Sequence, residues 1–248
     1  MLKRRFSRPE TNGKEVAVMF SCKFLIVPIL FILTPCFGQD RGGVDPGVAL
    51  PIVRNVLGTA QVSGSLEYWG RCDFQRSYPD FPKIRMLSDY SGSPQEVLQQ
   101  VFAPDPQMRV TRDAQGGKIR MVETDVPSDL LDVKIQYISF NLKGPGAKIF
   151  TGPNIALQII LGSPEVRAFR SEHDIGPFDD GFGWPGSSGP NKAAVSGELH
   201  DVTLSQALDY VLETFPGFWV YENCRNNKGD RTVFFGFFET FQSRLPQQ

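Results

Sequence analysis

The chain has 248 residues, of which 41% are hydrophobic and 21% charged, with a formal net charge of −1. That length and apolar share allow one large domain or two small ones, each with a sizeable core. The balance of charge excludes an electrostatic nucleic-acid or anionic-lipid binder, because phosphate binding needs clustered positive charge.

Residues 1–38 read as an export signal. Lys3, Arg4, Arg5, Arg8, Lys14 and Lys23 form a basic leader, and Phe24–Leu33 is an apolar run interrupted only by Pro28. Cys36 and Gly38 are small residues at the two positions a signal peptidase reads. Translation from Met1 makes the leader long, whereas a start at Met19 leaves a compact signal. The run is about half of what a bilayer span requires, so the sequence predicts cleavage and a periplasmic or secreted protein. The rival reading is a lipoprotein acylated on Cys36, but Pro35 occupies a place where a small residue is needed. Without these 38 residues, 20 of the 26 Lys and Arg and 25 of the 27 Asp and Glu remain, a net charge of −5.

Residues 39–61 are rich in Gly, Pro and polar side chains, and Val48, Leu50, Ile52, Val53, Val56 and Leu57 fit no single period. They predict a flexible connector. Val62–Arg71 alternates and predicts a first strand, and Lys83–Tyr90 predicts an extended segment with Ile84 and Met86 on one face. Ser93-Pro94-Gln95-Glu96 is a capping box with proline at the first helical position. Val97, Leu98, Val101 and Phe102 continue that helix. Met108–Arg112 and Lys118–Glu123 form a hairpin around a glycine-bearing turn.

Asp132–Leu142 alternates as a strand. Asn154 is placed to cap a helix starting at Ile155, and Ser163-Pro164-Glu165 opens another that carries Val166 and Phe169. Gly176–Lys192 is a Gly/Pro-rich loop. Val195–Leu199 predicts a strand. Thr203-Leu204-Ser205-Gln206 is a second capping box, and Leu204, Ala207, Leu208, Val211, Leu212 and Phe215 share one helical stripe. Phe218–Glu222 and Thr232–Glu239 close the chain as a hairpin.

The segments Lys83–Glu123 and Val195–Glu239 are copies of one β-α-β-β pattern, their helices matching at a constant offset of 110. The predicted fold is α+β, with helices packed on small mixed or antiparallel sheets. Its divisions are a connector at 39–61, a first unit at 62–126, a strand and two helices at 127–175, the loop at 176–192, a second unit at 193–241 and a tail at 242–248.

Catalytic motifs are not apparent. His173 and His200 lack the spaced partners that zinc sites require, so no metal or cofactor is expected. Pro185-Gly186-Ser187-Ser188-Gly189 fails the spacing of a nucleophile elbow. Asp179-Asp180 reads as a solvated pair. Beyond the leader, Cys72 and Cys224 are the two cysteines, and in an oxidising compartment they form a disulfide or remain two separate thiols. Phe178, Phe182 and Trp184 either fold back on the body or meet a partner. The hairpin rings Phe218, Trp219, Tyr221, Phe234, Phe235, Phe237 and Phe238 alternate onto both faces of a sheet. One face can cover the Thr203–Phe215 helix; the other needs the rest of the domain or another chain.

The run from Val195 to Leu208, with Val202-Thr203-Leu204 and Ala207-Leu208 ahead of the aromatic strand Phe218–Glu222, resembles the short N-terminal domain of secretins and TonB-dependent transducers, the STN domain. The resemblance covers about a fifth of the chain. It implies a periplasmic module that contacts a protein partner of the cell envelope. Two readings follow. One is a non-enzymatic interaction module docking through a strand edge or the aromatic sheet face. The other is an envelope enzyme or small-ligand binder with its site under Gly176–Lys192.

Overall fold

The computed structural model describes residues 46–71, 81–114, 117–141, 152–176, 194–225 and 229–240. The leader, Cys72, the loop aromatics Phe178, Phe182 and Trp184, the Asp179-Asp180 pair and Ser187-Ser188 lie outside the described residues. In chain order the elements are α1 (Pro46–Ala60), β1 (Gly64–Arg71), α2 (Pro94–Phe102), β2 (Met108–Arg112), β3 (Ile119–Glu123) and β4 (Lys134–Ser139). There follow α3 (Pro153–Leu161), α4 (Pro164–Glu172), β5 (Glu198–Thr203), α5 (Leu204–Thr214), β6 (Gly217–Arg225) and β7 (Arg231–Glu239). None of the described helices is long and apolar enough to cross a membrane.

The fold is α+β, with a mixed five-stranded sheet ordered β2-β3-β1-β6-β7 and a separate antiparallel pair β4-β5. β1 lies in the middle, parallel to both β3 and β6, while β2-β3 and β6-β7 are antiparallel hairpins. A central strand is covered on both faces, and β1 shows this directly: Leu66 and Tyr68 on one side and Ser65 and Glu67 on the other are all buried. Helices α1 and α2 cover the face that carries Leu66, Val110, Met121, Phe218, Val220 and Phe238. Helix α5, together with α3, α4 and the β4-β5 pair, covers the face that carries Trp219, Tyr221, Val233, Phe235 and Phe237.

Both capping boxes form. Glu96 N–H donates to Ser93 Oγ and Ser93 N–H to Glu96 Oε2. Gln206 N–H donates to Thr203 Oγ1 and Thr203 N–H to Gln206 Oε1. These contacts satisfy first-turn groups that the helix cannot satisfy internally. They fix where α2 and α5 start, and hence which side chains meet the sheet. Val97, Leu98, Val101 and Phe102 are buried in α2, and Leu204, Ala207, Leu208, Val211 and Leu212 in α5.

The structure corrects the sequence reading at several places. The connector expected at 39–61 contains α1, whose Ala49, Ile52, Val53, Val56 and Leu57 recur at helical spacing and are buried. The stripe is hidden in the sequence because Ala49 opens it and Pro51 interrupts it. Lys83–Tyr90 is not a strand: Arg85 N–H bonds Val101 O at the end of α2, and Met86 is 65% exposed. Gly152, at φ 125°, is the N-cap of α3 in place of Asn154, which falls inside the first turn. The strand expected at Val195–Leu199 runs instead from Glu198 to Thr203 and pairs with β4, not with β6 or β7. Strands from the segments 62–126 and 193–241 share a single sheet, within one compact unit of the chain.

Cys224 is disulfide-bonded, and its register partner in β1 is Gly70, two residues upstream of Cys72. A non-reducing peptide map is expected to link Cys224 to Cys72, tying the first strand to the last hairpin. A Cys224 peptide linked to any other cysteine overturns that pairing. Reduction should then lower stability by about 2–4 kcal/mol, because the bridge closes a long loop.

Candidate functional site

Three neighbouring strands set the first cluster. Ser65 on β1 is in register with Arg120 on β3 and with Trp219 on β6, which places the three side chains in a row under α5. Asp209 reaches down from α5. Its Oδ1 accepts from Arg120 Nη1 at 3.0 Å and from Trp219 Nε1 at 2.9 Å, while Arg120 Nη2 bonds Oδ2. Lys118 Nζ lies 3.8 Å from the same carboxylate, and the guanidinium sits 5.7 Å from the centre of the Trp219 ring. Beside it, Ser65 Oγ donates to Glu67 Oε1 at 2.9 Å. Burial pushes the Glu67 carboxyl up, against the lowering effects of Ser65 and the Arg120 charge. Both Asp209 oxygens accept from Arg120, and Oδ1 also from Trp219, with Lys118 as a more distant countercharge. The arrangement fastens α5 to the sheet.

A second cluster lies further along the same face. Arg231 on β7 makes two 2.6 Å bonds to Asp129, donates to Tyr221 Oη at 2.9 Å and to Asn223 Oδ1 at 3.2 Å. Tyr221 in turn donates to Pro127 O. Hydrogen bonding to Arg231 holds the Asp129 carboxyl below its ordinary range, and burial pushes the Tyr221 phenol up to about 12. Arg231 O also accepts from Gly176 N–H, and Arg170 Nη2 donates to Gly176 O. This cluster pins the 126–130 connection and the stem at Gly176.

The two histidines stay apart in role. His173 caps α4, stacks on Phe169 at 3.9 Å and places Nδ1 2.9 Å from Phe169 O. His200 lies on β5 with its ring 5.2 Å from that of Tyr137, which is 49% exposed and donates to Glu198. Among the described residues no group of three or more His, Cys, Asp or Glu is placed to hold a metal ion. Six of the seven rings expected on an aromatic docking face are buried in the two cores, and Phe234 is half-buried. Phe218 and Phe238 lie under α1 and α2, and Trp219, Tyr221, Phe235 and Phe237 lie under α5 and its neighbours.

The main sheet has two edge strands, β7, whose Arg231 O accepts from Gly176 N–H, and β2. The bonds Thr124 N–H to Gln107 O and Asp113 N–H to Lys118 O set the alternation of the β2-β3 ladder. Arg109 and Thr111 therefore bond towards β3, and Met108, Val110 and Arg112 turn their backbone groups outwards. The outward Val110 carbonyl accepts from the side chains of Gln95 at 3.4 Å and Gln99 at 3.2 Å, one turn apart on α2. Arg109, Thr111 and Arg112 are exposed. Beside this edge lies an open depression of about 500 Å³ lined by Arg85, Ser91, Glu96, Gln99, Gln100 and Ala103.

Sequence reasoning missed Arg120, Asp209, Glu67 and the two edge glutamines. The first three become partners only when β1, β3, β6 and α5 are assembled, so no spacing signals them. Gln95 and Gln99 do carry a signal, as an amide pair at i, i+4 on the polar side of α2. No protein-family model, curated protein or solved structure matches the chain.

Proposed function

We propose that this protein is an exported, non-enzymatic interaction module of the cell envelope, STN-like in design, which binds a protein partner by adding a strand at β2. The observation that carries the reading is the β2 edge, whose central outward carbonyl, among the described residues, accepts two glutamine side-chain hydrogen bonds, at 3.4 and 3.2 Å. Rotating Gln95 and Gln99 aside exposes a strand template at small cost, since each such neutral bond is worth roughly 0.5–1.5 kcal/mol net. Backbone pairing then supplies affinity, and the neighbouring side chains supply selectivity. The polar clusters support the same reading, because their charges are engaged in holding layers together. The export leader, the two capped helix-hairpin copies and the STN resemblance supply the envelope setting.

The test places a photo-crosslinking residue at Thr111 of the full chain in its host envelope, with and without Arg112→Pro. Proline at 112 removes an outward N–H and spares the backbone bonds to β3; it also removes the Arg112 side-chain bond to Gly117 O, a loss that Arg112→Ala reproduces with the N–H kept. The expected result is one discrete adduct whose yield falls at least tenfold in the proline variant. Equal yields, or an adduct only from a probe at His200 on β5, would falsify docking at this edge.

A further inference from the structure

The other face of the sheet holds a carboxyl group that neither cluster uses. Glu222 on β6 is in register with Tyr68 on β1, and Tyr68 Oη donates to Glu222 Oε2 at 2.9 Å. The carboxyl lies over Gly70: a Cβ at residue 70 would come within 1.9 Å of Glu222 Oε1, so the seat exists because residue 70 has no side chain. Tyr68 is fully covered and packs against Phe81, ring centres 5.2 Å apart. Among the described residues, the groups around the carboxyl are Tyr68 and Gly70 on β1, Phe234 across the ladder on β7, and Val220 and Cys224 on β6. The packed helix α1 contributes a single charged residue, Arg54, which is exposed. Residues 81–85, packed over this face through Phe81, bring Lys83 and Arg85; Lys83 N–H bonds Asp105, and the Arg85 side chain bonds Gln100 O. Among the described residues no cation pairs with Glu222.

We propose that Glu222 is a proton-operated latch: protonated, it seats its carboxyl between Tyr68 and Gly70 and keeps Phe81 closed over the sheet; ionised, it draws that carboxyl towards water and loosens the Tyr68–Phe81 cover. Glu222 is half-buried, and a carboxylate shut from much of its water with one phenolic donor and, among the described residues, no cation is costly, whereas the neutral acid fits this seat. Burial raises the Glu222 carboxyl from 4.5 to about 7, the Tyr68 hydrogen bond opposing the shift. The closed state therefore holds the proton more tightly than an open state with an ordinary carboxyl. Opening grows more favourable as pH rises from about 4.5 to about 7 and is level outside that window. If the open state releases the carboxyl fully, the change in the opening equilibrium reaches roughly 10²-fold.

The experiment uses the full chain and follows two signals from pH 4 to 9. Carboxyl-carbon NMR reads the titration of Glu222, assigned by its loss in Glu222→Gln. Amide exchange of residues 81–90, corrected for the intrinsic pH dependence, reads the cover. The expected result is a midpoint near neutrality, protection that falls tenfold or more across it, and flat protection in Glu222→Gln. Tyr68→Phe keeps the ring and removes the donor to the carboxylate, so it should move the midpoint upwards. A Glu222 midpoint in the ordinary carboxylate range, or the same loss of protection in Glu222→Gln, overturns the latch. Neither outcome touches docking at β2, which lies at the far edge of the sheet.

Discussion

Leu208→Ala should lower stability by roughly 2–5 kcal/mol. Leu208 is fully buried at the centre of the α5 stripe, within a cluster that joins α3, β4, β6 and β7. Deleting its methyl groups removes apolar contacts and leaves a cavity. The surrounding layers cannot collapse into it, because α5 is held at its start by the Thr203–Gln206 capping box and in its middle by Asp209. Thermal melts of the parent, Leu208→Ala and His200→Ala provide the check. His200 is exposed on β5, and its replacement should leave the melt close to that of the parent. A Leu208→Ala melt indistinguishable from the parent would show that α5 does not carry the core.

Asp209→Ala should cost about 2–4 kcal/mol for a different reason. It strands the Arg120 guanidinium and the Trp219 indole N–H in a site where the Asp209 and Arg120 side chains are only 13% and 21% exposed. Most of the loss is the penalty for a half-buried cation left with only the more distant Asp113 carboxylate, not the worth of the pair itself. Two further variants separate those contributions. Asp209→Asn keeps an acceptor for Trp219 and should cost less. Arg120→Met in the Asp209→Ala background removes the stranded charge and should recover part of the stability. If the double variant is no more stable than Asp209→Ala alone, the cluster does not act as an ion-pair strut. Chemical denaturation at fixed pH gives all three differences.

Local chemistry made much of the fold legible. Helices α2 and α5 begin where their capping boxes stand, since a cap needs only residues three apart. The β2-β3 hairpin falls where an alternating pair of strands flanks a glycine turn. The same alternation correctly sent the rings of Phe218–Phe238 to both faces. It could not say what covers them, and that omission produced the expectation of an exposed aromatic surface. Helix α1 supplies the missing cover on one side, and it was overlooked because its Pro51 and flanking glycines resemble a linker. Packing overrode those residues by burying five side chains.

The sequence by itself determined the α+β class, both capped helices and the hairpin that follows each, because each depends on contacts a few residues apart; the leading strand of each expected copy did not hold. Only the tertiary structure decided that both hairpins flank β1 in one sheet, that β5 pairs with β4 outside that sheet, and that β2 and β7 are its edge strands. It alone placed Arg120 against Asp209, 89 residues away, and Glu222 against Tyr68, 154 residues away. Pairings at such separations carry no periodic trace, since the closing of the intervening chain is what brings the partners together.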